Sequence, residues 1–273
     1  MLPYTINHMT VPRLGYRELL ELAVSLGCIG VELRNDLDRP LFDGDSPDAV
    51  RQAARDQGLR IVGLSQVYPF NAWSDAIRDE VQALIDNADA CGAETISLIP
   101  RNDGTGMADG ERQDNARRAL SAVKPMLEDA GMVALVEPLG FPQTSSLSDK
   151  AETLALIEEV GGADIFRLVH DTFHHYLAGG GPLFPERTGI VHVSGVVDRS
   201  LALEEIADAH RILVDEGDRL GNVEQIIALR RGGYRGPISI EAFSPDVHEL
   251  RDPSGALRAT MEHMQSSVAA AAA

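Results

Sequence analysis

One phrase repeats along this chain and limits what it can become: an amphipathic helical stretch, a glycine, then a short apolar run closed by a polar or charged residue. Gly27, Gly58, Gly92, Gly131, Gly161-Gly162 and Gly232-Gly233 stand where helices would end, because a residue without Cβ takes up the left-handed C-cap at least cost. Their spacing is close to one βα unit. Leu19, Leu22, Ala23 and Leu26 follow the i, i+3, i+4, i+7 pattern, as do Val81, Leu84, Ile85 and Ala88, so each set forms one helix face able to cover a sheet. The runs Ile61–Leu64, Val133–Val136, Ile165–Val169, Ile190–Val193 and Ile238–Ile240 are continuously apolar, as strands covered on both faces are. With Tyr4–Asn7, Ile29–Leu33 and Thr95–Ile99 they make eight strands separated by helices, which favours an α/β fold closed as a single (β/α)8 TIM barrel over an open sheet. A length of 273 residues suits one such domain, 1–273, with the Ala-rich stretch from about 266 to 273 as a frayed tail. The longest irregular stretch, roughly 194 to 222, lies between strands seven and eight and is the place for an active-site loop.

Composition removes several classes of partner. A net charge of -18 repels polyanions and argues against nucleic-acid binding. No apolar window approaches the ~18 residues of a membrane span, and the first residues lack a basic segment followed by an apolar one, so the expectation is a soluble cytoplasmic protein without a membrane partner. Cys28 and Cys91 lie in apolar contexts without CxxC spacing and read as reduced, buried thiols. GxxxxGK[ST], strand-anchored GxGxxG and GxSxG are all missing, which leaves nucleotide binding and serine hydrolysis without support.

In such barrels chemistry sits where strands finish. Strand five ends in Glu137, strand six in Asp171, strand seven carries His192 and strand eight ends in Glu241. One carboxylate at a strand end is ordinarily solvated or caps a helix; four consecutive strands ending in ligand-type side chains are a different matter. Three carboxylates converging beside an imidazole on one rim repel one another unless a divalent cation joins them, and a thiolate-free, oxygen-rich set suits Mn²⁺, Co²⁺ or Mg²⁺ and tolerates Zn²⁺. His174, one helical turn past Asp171, reads equally as a substrate contact or a capping residue. His170 should point to the other side of its strand as a satisfied core residue, and His175 is a bystander. Ser65–Trp73 concentrates aromatics as either a pocket wall or loop packing, and Asp218-Arg219 is a surface ion pair or a substrate clamp.

At these residues the chain resembles the xylose-isomerase-like superfamily of sugar isomerases and epimerases, and most nearly its inosose (2-keto-myo-inositol) isomerase branch. Val31-Glu-Leu-Arg34, Phe70-Asn71, Glu137-Pro-Leu-Gly-Phe-Pro-Gln143, Asp171-Thr-Phe-His174 and Asp218-Arg219 are similar to its motifs; Leu220-Gly221-Asn222 departs from its Pro-Gly-x-Gly segment, and Ser194-Gly195 from its acidic residues after the strand-seven histidine. The resemblance implies one divalent metal ion held by Glu137, Asp171, His192 and Glu241, with Glu137 and Glu241 as the catalytic acid/base pair. It further implies substrate contacts by His174 and Arg219, help from Gln143, and a binding role for Asn71 and Arg34 in the matching motifs. The implied reaction is proton transfer on an α-hydroxyketone through a metal-stabilised enediolate, giving an isomerase, with a ketose 3-epimerase, an inosose dehydratase or a non-enzymatic, metal-stabilised sugar-binding barrel as alternatives. Arg34, Arg101 and Arg219 are the basic residues placed on the rim, which points to a neutral keto-polyol, and a homo-oligomer is left open.

Overall fold

The computed structural model describes residues 1–108 and 110–271. Eight strands alternate with helices: β1 (Tyr4–Asn7), β2 (Gly30–Arg34), β3 (Arg60–Val67), β4 (Thr95–Leu98), β5 (Val133–Val136), β6 (Phe166–Asp171), β7 (Thr188–Val193) and β8 (Ile238–Ile240). The helices are α1 (Tyr16–Leu26), α2 (Pro47–Asp56), α3 (Asp75–Cys91), α4 (Glu111–Ala130), α5 (Lys150–Glu159), α6 (Thr172–Leu177), α7 (Asn222–Arg231), α8 (Pro245–His248) and α9 (Pro253–Ala270). Every neighbouring pair of strands is parallel and β8 returns to β1, closing the barrel in sequence order as the alternating pattern predicts. The helix ends also follow the glycines: Gly27, Gly92 and Gly131 are left-handed C-caps of α1, α3 and α4.

Strands three, six and seven run longer than their apolar stretches, because polar residues at their ends still pair with neighbours. This extension places Asp171 opposite His192 inside the β6–β7 ladder. Side chains alternate along a strand, and Leu135, Val169 and Ile190 belong to one buried apolar cluster. Glu137, Asp171 and His192 each lie two residues further on, so all three project on the side of that cluster, above it.

The stretch between β7 and α7 is irregular but not loose. It contains two short 3₁₀ turns, Leu203–Glu205 and Asp208–His210, and folds back through a bridge between Gly195 and Ile212. The tail differs from its expectation. Residues 266–270 continue α9, where Val268 joins the core, because an apolar residue on the inward face holds the last turn down; Ala272 and Ala273 lie outside the described residues. Cys28 and Cys91 are buried free thiols whose pKa is pushed up by burial, to about 12 and about 11. Among the described residues no helix is long and apolar enough to cross a membrane.

Candidate metal centre

At the carboxyl ends of β5 to β8, Glu137, Asp171, His192 and Glu241 each offer a ligand atom, and these atoms lie within 4.8 Å of one another, all buried. Separate backbone devices put each one there. Asp171 ends β6 and caps α6, its Oδ1 accepting from the backbone N–H groups of Phe173 (2.7 Å) and His174 (3.2 Å). Gly140, just past Glu137, is a close approach: a Cβ there would stand 2.1 Å from the carbonyl oxygen of His174, so only glycine lets the loop after β5 press against α6. His192 Nε2 lies 3.2 Å from Glu32 Oε2, an acceptor, which puts a proton on Nε2 and turns Nδ1 toward the site. Glu32 is fully buried and further fixed by Asn7 Nδ2 at 3.2 Å and by the Ser239 hydroxyl. The same Asn7 amide donates to Glu241 Oε1 at 3.1 Å, beside Arg34 Nη1 at 2.8 Å.

His192 Nδ1 is buried without a hydrogen-bond partner, 3.1 Å from Glu241 Oε2 and 3.8 Å from Glu137 Oε1. An orphaned nitrogen facing three carboxylates, its ring held from behind by a fourth, is the arrangement a metal-binding histidine requires. The donor set of three oxygens and one nitrogen fits a hard or borderline divalent cation, Mg²⁺, Mn²⁺, Co²⁺ or Zn²⁺. The residues present therefore fit the group.

Burial, then the charge of Glu241, pushes the Glu137 carboxyl up to about 8. Burial acts the same way on Glu241, but His192, Arg211 and Arg34 outweigh it and hold that carboxyl below the usual carboxylate range. Burial opposes a charged His192, yet Glu241 and Glu32 hold its pKa well above the ordinary value. Two carboxylates of one site are thus driven apart, Glu137 toward the protonated form and Glu241 toward the ionised one.

Over the cluster opens a cavity of about 220 Å³, with Arg34, Gln66, Asn102 and His174 among its polar lining and Tyr68, Phe141 and Phe243 on its apolar side. His174 reaches it at 3.9 Å from Glu137 Oε1, and burial lowers its pKa, so the ring facing the cavity is neutral.

A family model described as xylose isomerase-like TIM barrel matches residues 20–267. The chain belongs to this family. It is 21% identical over 213 residues to an inosose isomerase of Halalkalibacterium halodurans, covering 74% of this chain and 73% of that one. Its fold superposes on a xylose isomerase domain-containing protein of Salmonella typhimurium with a TM-score of 0.89 at 30% identity, covering 98% and 97% of the two chains. A structure of IolI protein with a bound zinc atom superposes with a TM-score of 0.85 at 17% identity, covering 98% and 99%.

In this xylose isomerase-like barrel, the residues expected to contact substrate divide. Arg34 and His174 line the cavity. Arg219 does not reach it: its guanidinium donates to the carbonyls of Asp198 (2.7 Å) and Leu201 (3.0 Å) and lies against Tyr176, pinning the long loop. Asn71 is likewise spent on structure, donating to Ser146 Oγ at 2.7 Å and accepting from the Arg101 backbone N–H at 2.8 Å, which ties the loops after β3, β4 and β5 together. Gln143 is exposed in the turn between β5 and α5 and is not part of the cavity lining. The aromatic stretch 65–73 serves both of its readings: Tyr68 faces the cavity, while Phe70 is fully buried in the core.

Sequence reasoning missed Arg211, Glu32 and Lys150. Arg211 comes from the long loop and donates to Asp171 Oδ2 at 2.6 Å and Glu241 Oε2 at 2.9 Å. No local pattern marks it, since its role depends on where the loop folds back. Glu32 carried a signal, a charge inside the apolar run of β2. Lys150, the first residue of α5, donates to His170 Nδ1 at 2.7 Å and His175 Nδ1 at 2.9 Å.

Proposed function

We propose that the protein is a divalent-metal-dependent isomerase of a keto-cyclitol or ketose, with 2-keto-myo-inositol as its foremost substrate. The observation that carries this reading is the convergence of four buried ligand atoms, from Glu137, Asp171, His192 and Glu241, within 4.8 Å of one another at the floor of the cavity, with His192 Nδ1 left without a hydrogen-bond partner. The likeness to an inosose isomerase supports the choice of substrate.

Glu137, Asp171, His192 and Glu241 would hold the cation, which, when bound, supplies Lewis-acid polarisation of a carbonyl and its neighbouring hydroxyl. The remaining work falls to side chains. Glu241 takes the α-proton, Glu137 gives a proton to the former carbonyl carbon, and the α-hydroxyl proton passes to the former carbonyl oxygen, which moves the carbonyl by one position; proton exchange with solvent then restores both carboxyls. Return to the opposite face of the original carbon would invert it and make a 3-epimerase. Neutral His174 donates a hydrogen bond to a substrate oxygen from the cavity wall, and Phe141 and Phe243 shed water from the reacting face. Arg34 and Arg211 are both committed to carboxylates, Arg34 to Asp36 and Glu241, Arg211 to Asp171, Glu241 and Asp208, which leaves the cavity suited to hydroxyls in preference to a phosphate.

Proton NMR of the Mg²⁺- or Zn²⁺-loaded protein with 2-keto-myo-inositol in D₂O tests this, run beside Glu241→Gln and a metal-stripped sample. The expected result is a new keto-cyclitol bearing solvent deuterium next to the original carbonyl, absent from both controls. Deuterium with inverted configuration at one carbon would replace the isomerase by an epimerase. Silence with 2-keto-myo-inositol and with free ketohexoses, from a protein that binds metal, would leave only the metal-stabilised binding barrel.

A further inference from the structure

Arg211 is the largest fully buried side chain of the described residues, and its surroundings hold it from every side. Nε donates to Ser194 Oγ at 3.0 Å and Nη1 to Asp208 Oδ1 at 3.2 Å. The guanidinium is stacked between the rings of Phe173 and Phe243, at 4.8 Å and 4.5 Å. Its backbone carbonyl accepts from the N–H groups of Phe243 and Ser244, which fastens the loop to the end of β8.

What it touches is specific. Asp171 Oδ1 is already taken by the first turn of α6, and Glu241 Oε1 by Arg34 and Asn7. The oxygens left to a cation are Asp171 Oδ2 and Glu241 Oε2, the latter also the one nearest His192 Nδ1. Arg211 Nη2 bridges these two at 2.6 Å and 2.9 Å. Arg34 takes Glu241 Oε1, whereas Arg211 takes Glu241 Oε2, the oxygen nearest His192 Nδ1, together with Asp171 Oδ2, so a cation held by these atoms would share its ligand oxygens with the guanidinium.

We propose that Arg211 is a resident competitor for the metal: a fixed positive charge on the two ligand oxygens that weakens divalent-cation binding and keeps Asp171 and Glu241 paired when no cation holds them. The proposal rests on the four-residue metal site above. Like charges a few ångströms apart in a water-poor site repel strongly, so removing one should tighten the other. The competitor makes the metal exchangeable, and it couples metal occupancy to the loop that roofs the cavity.

Calorimetric titration of Zn²⁺ into wild type, Arg211→Met, Arg211→Gln and Arg211→Lys tests it, with the Tm of each metal-free protein. Arg211→Gln retains hydrogen-bond donors without the charge and serves if Arg211→Met does not fold. The expected result is Zn²⁺ binding about tenfold tighter or more in the neutral variants, a lower metal-free Tm, a larger Tm gain on adding metal, and affinity near wild type for Arg211→Lys. Unchanged or weaker Zn²⁺ binding in a folded neutral variant would overturn the competitor role while leaving the metal site standing. No binding to wild type or any variant would overturn the metal site and the competitor together.

Discussion

Two buried clusters of titratable groups lie back to back across β6, and they solve opposite problems. On the inner face Asp171 joins Glu137, Glu241 and His192, three carboxyls with an orphaned imidazole nitrogen. On the outer face His170 faces Lys150, whose ammonium also reaches His175, while His170 Nε2 donates to Gln225 Oε1 at 2.9 Å. Burial lowers Lys150 to about 7, His175 to about 4 and His170 well below its ordinary value. The outer cluster closes on itself through ring nitrogens and one amine and leaves nothing facing a cavity of useful size. The inner cluster instead brings together four ligand atoms that fit a divalent cation. Burial of charge alone therefore does not mark a site; what marks one is burial with an unmet ligand atom.

The largest expected effect separates the two faces by activity. Asp171→Asn or Glu137→Gln should cut kcat/KM on the keto-polyol by about a thousandfold or more, whereas Lys150→Met should leave it within about threefold. Equal losses on both sides would break the distinction. A smaller effect uses pH. Glu137 is raised from 4.5 to about 8 in the folded protein, so the native state binds more protons than the unfolded one across that range; metal-free stability should fall as pH climbs through it, and Glu137→Gln should flatten the decline. Lys150 is lowered from 10.5 to about 7, so across that window the unfolded state binds more protons; its contribution should rise with pH, and Lys150→Met should remove the rise. Thermal unfolding across pH reads both slopes, and slopes of one sign would contradict the comparison. The smallest effect concerns the rim: Gln143→Ala, exposed and outside the cavity, should leave kcat and KM within about twofold.

The barrel was legible because its signal is local and repeated: apolar runs set the strands, glycines stop the helices, and only the polar strand ends and the last turn of α9 fell outside the pattern. That Glu137, Asp171, His192 and Glu241 would converge was legible for a related reason. A charged residue closing a buried strand has one end of the barrel to face, and four neighbours in register must meet. His170 was readable as the opposite face of the same strand by alternation alone. Arg219, Asn71 and Gln143 were not, because motif likeness places a residue in a loop without saying which way its side chain turns; the structure spends Arg219 on carbonyls at Asp198 and Leu201 and Asn71 on Ser146. Arg211 could not be read at all. Its position depends on the bridge between Gly195 and Ile212 and on backbone contacts to Phe243 and Ser244, none of which leaves a periodic trace in sequence.

Anomalous diffraction from crystals of the protein loaded with Zn²⁺ or Mn²⁺ tests the central claim most directly. One strong peak per chain is expected at about 2.0–2.3 Å from donor atoms of Glu137, Asp171, His192 and Glu241, with His192 bound through Nδ1. A map without a peak among these residues at saturating metal, with Arg211 still bridging Asp171 and Glu241, would contradict it.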